Sequence, residues 1–159
     1  MAHPTWEQIG SLQYTRWVIQ ETLRLYPPTT SNARIANKDT TLPNGGGADG
    51  SSPIFVPKGG IVHFSTWARH RQGTDFGEDP ESFYPGRWQH LSPDVPGFLP
   101  FNKGPRICPG QHVAMAVITY IVARTFQTFA TMTNYNTKPW VERIHMALEN
   151  ENGVLIGLS

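Results

Sequence analysis

The chain has 159 residues, with 13 Lys plus Arg against 12 Asp plus Glu, a formal net charge of +1 and a charged fraction of 16%. That length suffices for one soluble globular domain with a real core, and the balanced charge offers neither a basic field for nucleic acid nor an acidic tail. One cysteine excludes an internal disulfide, and six scattered histidines show no Cys/His spacing suited to zinc.

The first residues, Met-Ala-His-Pro-Thr-Trp-Glu, carry no basic n-region or apolar h-region, so no signal peptide is read there. Thr5 and Gln8 have capping-box spacing and predict a short helix, interrupted near Gly10 and Ser11 before a second helix that runs to about Leu25 and stops at Pro27-Pro28. On the second helix Trp17, Glu21 and Arg24 share one face. By spacing alone Glu21 and Arg24 are a solvated pair worth only about a few tenths of a kcal/mol.

Residues 29–34 are small, polar and extended, and residues 32–40 suit a strand. Residues 42–53 contain Gly45-Gly46-Gly47 and Gly50-Ser51-Ser52, which predict a flexible loop; no Gly-Lys-Ser/Thr or Gly-x-Gly-x-x-Gly occurs there. Ile54-Phe55-Val56 and Ile61-Val62-His63-Phe64 flank Pro57-Lys58-Gly59-Gly60 and read as a hairpin. His63 and His70 are most simply strand and helix residues. Residues 75–97 are rich in Pro, Gly and aromatics, with Phe83, Tyr84 and Trp88 available to anchor an irregular path.

The only cysteine lies in Phe-Asn-Lys-Gly-Pro-Arg-Ile-Cys-Pro-Gly, residues 101–110, a tight loop that feeds a helix over residues 111–129. Gly104 and Gly110 permit positive φ or close backbone approach, and Pro105 and Pro109 stiffen the loop. The unpaired N–H groups of a helix start suit a thiolate, which makes Cys108 a candidate metal ligand or nucleophile. The apolar run over residues 113–123 is too short for a bilayer and reads as a buried core helix. Residues 133–139 then form a loop, and residues 140–148 and 154–158 a hairpin turning at Asn152-Gly153.

Residues 101–110 match every fixed position of the Phe-x-x-Gly-x-Arg-x-Cys-x-Gly signature, and the chain resembles the haem-thiolate monooxygenases of the cytochrome P-450 superfamily. Glu21-Thr-Leu-Arg24 resembles that family's Glu-x-x-Arg helix, and Pro85-Gly86-Arg87-Trp88 its Pro-x-Arg-aromatic stretch, with Gly86 where many members have Glu. The resemblance implies a mainly α fold with small β-hairpins (α+β), the C-terminal part of the cytochrome P-450 fold. Residues 1–159 would be its haem-binding segment, lacking the N-terminal membrane anchor, the propionate-binding helix and the oxygen-activating helix.

By the same resemblance Cys108 is the axial thiolate ligand of haem b iron, and Pro100, Phe101, Arg106, Ile107, Gly110 and Ala114 surround the cofactor. Arg106 and Arg34 would pair with propionates, and Phe101 would shield the sulfur from water. Glu21, Arg24 and Arg87 would form a buried structural network, Thr29, Thr30 and Ser31 would face substrate, and Lys103, read as exposed, would help dock an electron donor. Residues 42–59 resemble the fungal branch that hydroxylates alkanes and fatty acids. The implied partners are an NADPH-dependent reductase and a lipophilic substrate, with the intact enzyme on the cytosolic face of the endoplasmic reticulum membrane, held by an anchor outside this chain.

Two other classes stay open at this point. One is a truncated, non-catalytic product that binds haem weakly or not at all. The other is a cysteine-nucleophile hydrolase, against which the apolar, proline-flanked loop and the lack of an identifiable base both count.

Overall fold

The computed structural model describes residues 3–159, and the chain divides into two units: Ser31–Ser65, and the segments that flank it. In the flanking unit α1 (Trp6–Ser11) opens on the expected capping box, with the Gln8 N–H donating to the Thr5 hydroxyl at 3.3 Å and the Thr5 N–H to Gln8 Oε1 at 2.9 Å. The helix break falls at Leu12, and Arg16 donates to the freed Gly10 carbonyl at 2.8 Å. The next helix, α2 (Gln13–Leu25), stops as expected, because Pro27 disfavours helical geometry at Tyr26 before it.

Helix α2 turns Ile19 and Leu23 into a core cluster completed by Phe76, Trp88 and Phe98. The last three come from the irregular middle of the chain. Burial of side chains of this size contributes about 1.5–3 kcal/mol each, and this anchors a path with little regular structure beyond α3 (Thr66–Arg69), α4 (Gly73–Phe76) and a 3-10 turn at Pro85–Gln89.

The long helix after the cysteine loop is α5 (Gln111–Thr128). It does not run through a core as its composition suggested. Met115 and Ile118 pack on the cluster and Thr119 is its one buried residue, whereas Val113 is 68% exposed and Val117 and Ile121 are also open. An evenly apolar helix has no polar side to direct it, so its burial depends on how many partners surround it. No helix among the described residues is long and apolar enough to cross a membrane.

The unit Ser31–Ser65 holds two antiparallel pairs that differ from the expected hairpin. Strand β1 (Ser31–Ile35) pairs with β4 (Ile61–Ser65), and β2 (Thr40–Gly46) pairs with β3 (Ser52–Val56). The two runs around residues 57–60 therefore have different partners. The turn there is real, with the Gly60 N–H on the Pro57 carbonyl at 2.8 Å, but Gly59 and Gly60 then bond to Ala36, just past the end of β1: Gly59 N–H to Ala36 O at 2.8 Å and Ala36 N–H to Gly60 O at 2.9 Å. The expected flexible loop over residues 42–53 is largely strand, its register irregular between Leu42 and Gly46, and only its tip is a loop. There Gly47 and Gly50 take φ of 76° and 71°, and Asp49 accepts from Ser51.

At the C-terminus β5 (Met132–Asn134) pairs with β8 (Ile156–Leu158), and β6 (Glu142–Ile144) with β7 (Leu148–Asn150). The expected loop over residues 133–139 thus begins as strand, and residues 140–148 fold on themselves through residues 145–147. Asn152-Gly153 does form a turn, with Gly153 at φ 71° and its N–H on the Asn150 carbonyl at 2.9 Å. It links strands of two different sheets.

Candidate functional site

The face of α2 that carries Glu21 and Arg24 is closed by the meander. Both side chains have 0% exposure, which overturns the surface reading that their spacing alone allowed. Arg24 donates through Nε to Glu21 Oε2 and through Nη2 to Oε1, each at 2.9 Å. Arg87 Nε and the Tyr84 N–H also reach Oε1 at 2.9 Å, and the Trp88 indole donates to Oε2 at 2.9 Å. The residues Glu21, Arg24 and Arg87 come together as the resemblance implies; Tyr84 and Trp88 are members that the sequence reading missed.

The spare guanidinium donors are used as well. Arg24 reaches the carbonyls of His70 at 2.9 Å, Pro80 at 2.5 Å and Ser82 at 3.2 Å, and Arg87 those of Phe76, Asp79 and Ser82. Burial by itself raises the Glu21 carboxyl, but the bonds from Arg24, the Tyr84 N–H and Arg87, with the Arg24 charge, outweigh it and hold the group below its ordinary range. The anion is thus retained inside the protein, and two arginines lock the meander to α2. Beside Gly86 the ring of Tyr84 occupies the space: a Cβ there would lie 2.7 Å from it.

The meander leads to the cysteine loop. The Asn102 N–H donates to the Leu99 carbonyl at 3.1 Å and the Cys108 N–H to the Phe101 carbonyl at 2.9 Å, which closes the loop on its own entry segment. Asn102 takes φ 60° and Gly104 φ 70°, whereas Gly110 sits at φ −84° and does not use the positive φ considered for it. Cys108 is exposed, two residues ahead of the α5 cap Gly110, and its carbonyl takes the Gln111 N–H at 3.3 Å. A Cβ on Gly110 would stand 3.8 Å from Cys108 Sγ, so the glycine leaves open space beside the sulfur.

Phe101 is half-buried and packs on the core cluster, Pro100 and Ala114 are half-buried, and Ile107 and Arg106 are exposed. Lys103 is not the free surface cation expected. Its ammonium donates to the Asp94 and Val95 carbonyls at 2.8 and 2.6 Å, tying the loop to the meander. Arg34 belongs to the unit Ser31–Ser65, where it donates to Asn32 Oδ1 at 3.1 Å and the Ala33 carbonyl at 2.9 Å and lies over the Phe64 ring. Thr29 is exposed and Thr30 half-buried, next to Pro28, whose carbonyl accepts the Leu148 N–H of the terminal sheets at 2.9 Å. Ser31 is exposed and pairs with Ser65.

The model of the family described as Cytochrome P450 matches residues 1–155. The chain belongs to the cytochrome P450 family. It is 45% identical over 153 residues to cytochrome P450 monooxygenase FPY7 of Fusarium mangiferae, covering 96% of this chain and 29% of that protein. With cytochrome P450 monooxygenase himC of Aspergillus japonicus the identity is 46% over 159 residues, 99% and 28% of the two chains. With cytochrome P450 52A13 of Debaryomyces hansenii it is 40% over 157 residues, 98% and 30%. The chain thus spans under a third of the length of these curated relatives.

The family's haem suits the donors present. An exposed soft sulfur next to an α-carbon without a side chain, beside the exposed apolar Ile107, matches a thiolate-ligated iron in a flat apolar macrocycle, and the exposed Arg106 offers a cation for a carboxylate.

Proposed function

We propose that the whole protein is a haem-thiolate monooxygenase that inserts one oxygen atom of O2 into a lipophilic substrate, and that this chain is its C-terminal, proximal haem segment. The observation that carries the reading is the exposed Cys108 sulfur, held in a loop that closes on Phe101 and is tied to the meander through Lys103. Haem b, when bound, supplies the oxygen-activating chemistry, and a thiolate ligand pushes electron density toward the iron in support of O–O cleavage. The chain's own residues bind and orient. Cys108 supplies the ligand, Gly110 keeps the space beside it open, and Phe101, Ile107, Pro100 and Ala114 restrict water. Arg106, with Arg34 as a second candidate, neutralises propionate charge.

A lipophilic substrate, an alkane or fatty acid, is supported by the resemblance over residues 42–59 and by the apolar tip between β6 and β7, where Met146 is 100% exposed and Ile144 is also open. The Leu148–Pro28 bond sets these strands next to Thr29 and Thr30, the proposed substrate-facing positions. Electrons come from NADPH through a reductase, on the cytosolic face of the endoplasmic reticulum.

The test is the reduced, CO-bound absorption spectrum of the purified, haem-loaded protein beside Cys108→Ser. A thiolate band that disappears in the serine variant is the expected result. Identical spectra would overturn haem ligation by Cys108 and leave the non-catalytic reading.

A further inference from the structure

A second buried polar side chain links the Glu21 network to the cysteine loop. His70, just past α3, has no exposed surface. Its ring lies 5.3 Å from that of Phe98 and 6.1 Å from that of Phe76, inside the aromatic core. The Leu99 N–H donates to its Nε2 at 2.7 Å, and Nδ1 lies 2.9 Å from the Arg24 carbonyl. A peptide N–H only donates and a carbonyl only accepts, so Nε2 carries the lone pair and Nδ1 the proton. Both ring nitrogens are satisfied in that one neutral tautomer and in no other.

The two ends of this bridge differ in what they hold. Arg24 is in the last turn of α2, where carbonyls lack helical partners, and its side chain returns a bond to the His70 carbonyl at 2.9 Å. Leu99 opens the cysteine loop: its carbonyl accepts the Asn102 N–H, and Phe101, two residues on, accepts the Cys108 N–H. The N–H held by His70 thus lies two residues before the carbonyl that takes the Cys108 N–H, on the same tight turn.

We infer that His70 is a positioning residue for the Cys108 sulfur, acting through its Nε2 acceptor on the Leu99 N–H. The role assigned to the sulfur rests on the haem-thiolate reading above; the placement of the loop does not. Two substitutions separate the halves of the bridge. In His70→Asn the side-chain NH2 takes the place of Nδ1 and keeps the Arg24 bond, but nothing accepts from Leu99. In His70→Gln the terminal oxygen takes the place of Nε2 and accepts from Leu99, but the Arg24 bond is lost.

The first measurement is amide hydrogen exchange at Cys108 in the haem-free protein. His70→Asn is expected to speed it about ten- to a hundredfold, the equivalent of an unsatisfied buried N–H at the loop entry, while His70→Gln keeps it close to the wild-type rate. The second is the Fe(III)/Fe(II) potential and the reduced CO-bound spectrum of the haem-loaded proteins, expected to shift in His70→Asn and to be rescued in His70→Gln. Each variant loses one hydrogen bond, so a histidine that serves stability alone makes the two equivalent at Cys108, and that outcome overturns the inference. Nitrogen NMR of His70 in the wild-type protein needs no variant, and a proton on Nε2 would overturn it as well. A wild-type spectrum unaffected by Cys108→Ser defeats the haem-thiolate reading instead, and the exchange rates still decide the role of His70 in the loop.

Discussion

Glu21→Gln is the perturbation whose cost follows most directly from the geometry. Oε1 accepts from Arg24 Nη2, the Tyr84 N–H and Arg87 Nε, and Oε2 from Arg24 Nε and Trp88 Nε1. An amide keeps one of those oxygens and turns the other into a donor, which then faces two or three donors. It also removes the negative charge between two guanidinium groups. Stripping one partner from a buried ion pair costs about 3–5 kcal/mol. Arg24 still has the carbonyls of His70, Pro80 and Ser82, which places the expected loss near the lower end, at about 3 kcal/mol. Against a total of about 5–15 kcal/mol for a domain, that is a large fraction. Urea unfolding followed by tryptophan fluorescence is the assay, because the Trp88 indole is itself bonded to the carboxylate. The midpoint should fall by about 1–2 M, whereas the exposed Glu7→Gln control should leave it nearly unchanged. A loss below about 1 kcal/mol would show that the carboxylate charge is not what holds the meander to α2.

Acid sensitivity follows from His70, whose burial, together with the charges of Arg24 and Arg71, pushes it from the ordinary 6.5 down to about 4, against the favourable Arg24 carbonyl bond. Above pH 6.5 the imidazole is neutral folded and unfolded; as the pH falls from 6.5 to 4 only the unfolded chain takes up the proton. Stability should therefore drop by about 3 kcal/mol across that window, and His70→Gln should flatten the slope when urea midpoints are compared pH by pH. Glu21, held below its ordinary range, adds a further loss at pH below 4.5. Trp88→Phe keeps the ring in the core but removes the donor to Oε2, and should cost about 1.5–3 kcal/mol by the same urea assay. Gly110→Ala meets no backbone strain at φ −84° and leaves its Cβ 3.8 Å from the sulfur, so stability should change by less than about 0.5 kcal/mol. In the haem-loaded protein the same change should shift the absorption spectrum if Cys108 is the proposed ligand, since it fills the space beside that sulfur.

Local patterns in the sequence were enough for what depends on near neighbours. The capping box at Thr5 and Gln8, the stop before Pro27, the Glu21/Arg24 spacing and the cysteine loop running into α5 are all set within a few residues, where sterics and hydrogen bonding act directly. The motifs around Cys108 and Arg87 are contiguous strings, so the family resemblance is legible in the sequence alone. Tertiary structure decided the rest, because it depends on partners distant along the chain. Residues 54–56 and 61–64 read correctly as strands, but alternation shows that a strand has a face and not which strand it joins. The apolar run of α5 showed that the helix could be buried, not that only one side would find cover. Neither Trp88, 67 residues from Glu21, nor His70, 29 from Leu99, carries a local mark of its bond. Lys103 looked like any solvated lysine until the meander carbonyls came within reach. Such bonds form because folding removes water from groups that must then find one another, and no short stretch of sequence records which ones will meet.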